Sequence, residues 1–250
     1  MTGAAVALGA GVGALLGLLG GGGSILAVPA LVYGLGLSVS AAVPTSLLVV
    51  GGAAAVAVVP RAFRGEVRWA VALGYAAAGI PTSLVGAALN HRLDDGVVLV
   101  AFAALMAVVG VRKLVGPSAR APEVTRLAGA MRWLGVVGAG AGVGFLTGLL
   151  GVGGGFLIVP SLALLLGLPV TAAVGTSLAI IVANSAAGLA AHLGRASIDL
   201  TLAGAFAAGA AGAAALAGTL GRHLDERTLS LGFALLVLTV ALGVIVSAVA

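Results

Sequence analysis

Apolar residues run along this chain in long stretches separated by short polar links. The stretches are approximately Gly3–Leu35, Ala41–Val59, Trp69–Leu89, Val97–Val115, Trp133–Leu166, Val170–Leu193, Leu200–Leu220 and Leu229–Val249. Six of them have the length of one helix crossing a hydrocarbon core about 30 Å thick, which takes roughly 20 residues. The first and fifth are too long for that. A continuous helix through either would measure about 50 Å at 1.5 Å per residue. Each is interrupted near its middle by a glycine run, Gly20–Gly23 in the first and Gly151–Gly155 in the fifth. The pattern predicts a half-helix on either side of each run, with unwound backbone between them that must be buried in protein or lie beside water.

The chain also repeats itself. The segment from Gly11 to Leu47 aligns without a gap with the segment from Gly142 to Leu178, with about two positions in three identical. The register continues beyond it, so that Leu93 and Asp94 fall opposite Leu224 and Asp225. Such a match is an internal duplication. The expected fold is therefore an all-α integral membrane protein of two homologous four-segment repeats, about eight transmembrane segments in all. Residues 1–115 form the first repeat and 133–250 the second. Between them lies the only long polar link, 116–132, which carries two prolines and marks the boundary.

Orientation depends on how the broken segments are counted. If each crosses once, the repeats are parallel; if each dips in and returns as a re-entrant hairpin, the repeats are inverted. Both arrangements gather most of the basic residues on one side, as the positive-inside rule requires, and both place the links near Arg64 and Arg120 in the cytoplasm. Inverted repeats built around broken helices recur among secondary transporters, which favours the second arrangement.

Composition agrees with a bilayer. Hydrophobic residues make up 61% and charged residues 8% of the chain, far from the quarter charged that soluble domains carry. The net charge of +5 sits in the links, where it sets topology and meets lipid headgroups; nothing points to nucleic acid. There is no cysteine, and His91, His192 and His223 are single, so no metal site or cofactor is expected. The first residues lack the basic region of a cleaved signal peptide and belong to the first repeat, so they read as mature sequence.

Candidate chemistry follows from the breaks. Backbone N–H groups freed where a helix begins carry positive partial charge, so a helix start inside the membrane suits an anion. Gly20, Gly22, Gly23 and Ser24 mark one such start, and Gly151, Gly153, Gly154 and Gly155 its counterpart. The competing reading is that the glycines only let helices approach closely, as Gly9, Gly13 and Gly17 do by their spacing. Thr45 and Ser46 follow Pro44, and Thr176 and Ser177 follow Gly175. Their hydroxyls serve either a ligand or the capping of a helix start. Asn184 is the most polar side chain well inside a stretch, available to a ligand or to a neighbouring helix.

All acidic residues lie in links or at stretch ends, unlike the carboxylates at span centres of many cation-coupled carriers. A site lined by amides and hydroxyls suits a small anionic substrate. No catalytic constellation is present: there is no HExxH pair, and GLGGGGSIL lacks the Lys-Ser/Thr ending of a phosphate loop. The expectation is a non-enzymatic secondary transporter in which the two breaks meet near the bilayer midplane. An anion channel and a noncatalytic membrane subunit are the alternatives, and a homo-oligomer is compatible with all three.

The motif GxLGxGGGxLxVPxL, followed by a small residue and Thr-Ser, occurs once per half. Gly20, Gly22, Gly23, Leu26, Pro29, Thr45 and Ser46 carry it first, then Gly151, Gly153, Gly154, Gly155, Leu157, Pro160, Thr176 and Ser177. This resembles the TauE/SafE group of sulfite and organosulfonate exporters. The copies differ at Ser24 against Gly155 and at Pro44 against Gly175. The resemblance implies a plasma-membrane permease that moves sulfur oxyanions or organosulfonates such as sulfite, thiosulfate or sulfoacetate, outward.

Overall fold

The computed structural model describes residues 2–90, 130–150, 155–192 and 199–220, together with 231, 232, 235 and 239. Stretch Val97–Val115, the link 116–129 and most of Leu229–Val249 lie outside the described residues, as do Gly151, Gly153 and Gly154. The described residues are helical with short connections. In chain order they form α1 (Thr2–Leu19), α2 (Ser24–Pro29), a π-helical continuation Ala30–Gly34, α3 (Val39–Phe63), α4 (Trp69–Asn90), α5 (Ala130–Leu150), α6 (Gly155–Leu164), α7 (Val170–His192) and α8 (Leu200–Leu220). Among them, α1, α3, α4, α7 and α8 contain stretches long and apolar enough to cross a bilayer.

The first apolar stretch is broken at its glycine run. α1 ends at Leu19, Gly20 takes a φ of +70°, and α2 begins at Ser24. Only glycine adopts that left-handed angle without a steric penalty. α2 then turns back along α1, because Gly23 lies against Val12 and Leu16 and Gly34 lies against Leu8. Pro29 ends the regular turns of α2. It supplies no N–H, and the next turn widens into a π-helix.

Packing between the halves is reciprocal. Gly9, Gly13 and Gly17 of α1 rest on the backbone of Phe206, Ala210 and Ala214 of α8. At the same constant offset that relates the two sequence copies, Gly140, Gly144 and Gly148 of α5 rest on Tyr75, Gly79 and Ser83 of α4. Positions rise together in both pairs, so each pair runs parallel. α3 and α7, which also correspond, run in opposite directions: Gly51 meets Ser185 while Gly188 meets Leu47. Each helix thus packs on partners from the other half.

Lipid tails are as apolar as leucine, so burying apolar surface does little to hold such helices together. Close backbone contact does more, through dispersion and Cα–H···O contacts. The buried positions of α1, Ala5, Gly9, Val12, Gly13, Leu16 and Gly17, fall on one face at helical spacing. A set of large apolar side chains faces outward: Phe63 and Tyr33 are nearly fully exposed, and Leu73, Leu134, Leu200 and Leu216 mostly so. This is the arrangement expected of a bundle that presents its apolar surface to lipid.

A Cβ at Gly13 would meet the Ala210 backbone, with its Cα at 2.6 Å, whereas one at Gly11 has open space. We expect Gly13→Leu to abolish the monodisperse peak in size-exclusion chromatography and Gly11→Leu to preserve it. Equal behaviour of the two variants would contradict the packing described.

Candidate functional site

The glycine break is held from the second half of the chain. Ser177 Oγ lies 2.6 Å from the Gly20 carbonyl and 2.8 Å from that of Val174, so one hydroxyl proton serves two acceptors. The Gly20 N–H donates to Leu16 O at 2.8 Å, closing the last turn of α1. A Cβ on Gly20 would lie 2.8 Å from Val174 Cα and 2.9 Å from Ser177 Oγ, so both its φ and its surroundings require glycine. Of the sequence-predicted residues, Gly20 and Ser177 are therefore directly bonded.

Just beyond, Gly21 O accepts from both the N–H of Ser24 at 3.2 Å and its hydroxyl at 2.7 Å. Gly23 O accepts from the Leu26 N–H at 3.2 Å. The N–H groups of Gly21, Gly22 and Gly23 form no hydrogen bond with any described residue, although residues 19–25 are all buried. Buried N–H groups are nearly always paired, because leaving one unpaired costs about as much as a lost hydrogen bond. Three in succession before the start of α2 are donors that no described residue accepts.

Ser24 and Gly155 occupy equivalent positions in the two copies, and they face each other. A Cβ on Gly155 would collide with Ser24 Oγ and come within 3.0 Å of Ser24 Cβ and 3.2 Å of Gly21 O. The starts of α2 and α6 therefore converge at one point. Each brings the positive end of its helix dipole, which is unfavourable between the two ends and favourable towards an anion placed beside them.

The Thr-Ser pairs divide. Thr45 Oγ1 and Ser46 Oγ bond the carbonyls of Ala41 and Val43 in their own helix, both at 2.7 Å. Because α3 starts at Val39 with Ser38 at its N-cap, neither residue caps it. Thr176 Oγ1 accepts the Arg68 N–H at 3.0 Å, tying the α3–α4 turn to α7. The difference between Pro44 and Gly175 has its cause here: the Glu66 carbonyl lies 2.8 Å from where a Gly175 Cβ would stand. Asn184, two turns after Ser177 and on the same face of α7, carries a buried Oδ1 without a hydrogen-bond partner among the described residues.

Gly23 has a packing role of its own. Its Cβ would run into the Val12 carbonyl and come within 2.7 Å of Leu16 N, so helix packing by itself requires glycine there. A bulky residue at Gly23 would disturb the α1–α2 hairpin whether or not a ligand binds.

Arg61 was not anticipated. Its place in the sequence suggests a link, but α3 extends to Phe63 and the Arg61 side chain is 9% exposed. It pairs with Glu66 at 3.1 Å and donates from Nη2 to Gly17 O at 3.0 Å. The spacing Arg61, Gly65, Glu66 was the available signal, since glycine at that point is typical of a helix end that folds back on its last turn. Among the described residues no group of His, Cys, Asp or Glu could hold a metal ion.

Residues 5–244 match the family described as "Sulfite exporter TauE/SafE". A relative from Xylella fastidiosa strain 9a5c, named "Probable membrane transporter protein", is 38% identical over 169 residues, which is 67% of this chain and 64% of the relative. Another with the same name, from Xylella fastidiosa strain Temecula1 / ATCC 700964, is 35% identical over 241 residues, covering 94% of this chain and 91% of the relative. No solved structure matches the chain.

The facing of Ser24 and Gly155 yields a direct test. Gly155→Ser alone should lower the thermal unfolding midpoint by several degrees, as overpacking worth about 1–3 kcal/mol does. The exchanged pair Ser24→Gly/Gly155→Ser should recover most of the loss. Additive effects of the two substitutions would show that the residues do not meet.

Proposed function

Because this chain belongs to the sulfite exporter TauE/SafE family, a family of membrane transporters, we propose that it is a secondary transporter moving small sulfur oxyanions or organosulfonates outward across the cell membrane. The chain is a multi-pass membrane protein. In this reading residues 1–115 and 133–250 are two inverted four-segment repeats, joined by a cytoplasmic link at 116–132. The opposed directions of α3 and α7, the parallel pairing of α1 with α8 and of α5 with α4, and the turning back of α2 along α1 support that arrangement.

One observation carries the choice of an anion. The buried N–H groups of Gly21, Gly22 and Gly23 have no acceptor among the described residues, and they stand where the starts of α2 and α6 converge. Sulfite, thiosulfate and sulfoacetate each present several oxygen acceptors on a compact anionic group, and each would satisfy donors that no described residue accepts. Ser24 and Gly155 line the point of convergence. Gly151, Gly153 and Gly154 belong to the second half-site by their place in the repeat. Ser177 supports the break at Gly20, and Asn184 adds an amide two turns away on the same helix face. Thr45, Ser46 and Thr176 bond backbone and hold helices in place, so they act on the site through its scaffold.

Alternating access then follows from the architecture. Each repeat packs on the other through helix pairs with backbone contact, and rocking one repeat against the other about the central convergence would expose the anion to either side in turn. An anion held by oriented amides exchanges no proton with them. Neither bonding nor release then requires a carboxylate in the spans.

Uptake of labelled sulfite, thiosulfate and sulfoacetate into liposomes containing the purified chain tests the reading. We expect saturable flux of at least one of them, accelerated by the same anion loaded inside and unaccompanied by ionic conductance. Flux of none, from monodisperse protein, would contradict it.

A further inference from the structure

Among the described residues one guanidinium, that of Arg61, lies inside the bundle, next to the glycine break. Intramembrane ionisable groups are costly and ordinarily mark function, with the partner as the guide to what they do. Arg61 has three relations. Nη1 meets Glu66 Oε2 at 3.1 Å, Nη2 donates to Gly17 O at 3.0 Å, and Nε is buried without a partner among the described residues. Gly17 belongs to the last turn of α1, whose carbonyls lack partners within the helix and form its negative end. The guanidinium therefore binds the end of α1 to the end of α3, immediately before the break.

Glu66 is set in place by the backbone. Gly65 has a φ of +71°, its N–H bonds to Ala62 O, and the Glu66 N–H bonds to Arg61 O, both at 3.0 Å. This folded-back helix end puts the carboxylate over the guanidinium of the residue whose carbonyl it caps. The same turn reaches the other half of the chain: the Glu66 carbonyl packs on Gly175, and the Arg68 N–H bonds to Thr176, next to the Ser177 that holds Gly20. The contacts close a ring: α1, Arg61, Glu66, the turn, α7 and back to Gly20.

We infer that Arg61 and Glu66 form a charge latch closing one end of the glycine site, and that an oxyanion opens it by taking the place of the Glu66 carboxylate on the guanidinium. The inference rests on the transport reading above for the identity of the anion. Three observations carry it. Removing a partner from a buried charge is strongly unfavourable, so Arg61 must keep an anion; only an exchange of anions releases Glu66 at low cost. Glu66 is the reachable member, at 26% exposure, and is shared with Arg64, whose Nε lies 3.4 Å from its other oxygen. Two arginines around one carboxylate leave net positive charge to attract an incoming anion. Finally, Nε adds a donor to the guanidinium fork, which matches a second oxygen of a sulfite or sulfonate group. The latch is confined to one repeat, since the positions corresponding to Arg61 and Glu66 in the second copy are His192 and Ser197.

The chain has no cysteine, so a single reporter can be introduced cleanly. Val67 lies in the turn, 7% exposed, next to Glu66 and outside the glycine site. Val67→Cys in detergent-purified protein should react slowly with a maleimide. Methanesulfonate, an unreactive sulfonate, should raise the rate saturably, while chloride at equal ionic strength should not. Adding Glu66→Gln should raise the basal rate on the order of tenfold and remove the response to methanesulfonate. A rate indifferent to both Glu66→Gln and methanesulfonate overturns the latch. A rate raised by Glu66→Gln without any response to methanesulfonate overturns the anion exchange. Because labelling needs no transport, a latch that responds in a protein without saturable flux would leave the latch standing and remove the transport reading.

Discussion

Lipid offers no partner to a free backbone N–H or C=O, so a helix broken inside a bilayer persists only where other protein surrounds it. In this chain that surrounding is built from glycine. Gly9, Gly13 and Gly17 bring α8 onto the backbone of α1, Gly140, Gly144 and Gly148 bring α4 onto α5, and Gly23 brings α2 back against α1. None of these approaches tolerates a Cβ. With the helices this close, the Ser177 hydroxyl reaches the Gly20 carbonyl, and the run Gly20–Gly23 is buried although it is not helical. The amides of Gly21–Gly23 are then buried and have no acceptor among the described residues, which is the basis for proposing an anion beside them.

The duplication and its departures share one origin. Where two copies of a segment meet face to face, the same residue cannot always serve on both sides. Ser24 fills the space that a side chain on Gly155 would need, so a copy with serine at both positions would collide with itself. Gly175 accommodates the Glu66 carbonyl of the α3–α4 turn, a contact Pro44 could not accept in its place. The charge pair of Arg61 and Glu66 likewise belongs to one copy. The two halves of the proposed transporter are thus alike in scaffold and unlike at the points where substrate and gate would act.

Much of this was legible in the sequence. The lengths of the apolar stretches and the glycine run predicted the break at Gly20–Gly23, and the spacing of Gly9, Gly13 and Gly17 predicted a packing face. The repeat gave two half-sites expected to meet, but not that Ser177 would bond Gly20 or that Gly155 would face Ser24. The remainder depended on contacts between residues far apart in sequence. Nothing local distinguishes Gly23, which packs on α1, from Gly20, which needs its positive φ. For Thr45 and Ser46 the preceding Pro44 left a ligand contact and a cap as alternatives, yet α3 starts earlier, carries the proline within its second turn, and has both hydroxyls on its own carbonyls. Arg61 looked like a link residue because Pro60 and the charges after it suggested a helix end. Its burial comes from α1 and from the turn folded over it, and neither is visible in its own neighbourhood.

The central claim is that the amides of Gly21–Gly23, which have no acceptor among the described residues, hold the transported anion. Selenite, the selenium counterpart of sulfite, tests it by anomalous diffraction from crystals of the purified chain. The account predicts a selenium peak within hydrogen-bond distance of those N–H groups and beside Ser24 and Gly155. A peak elsewhere in the bundle, with none at the glycine run under saturating selenite, would contradict it.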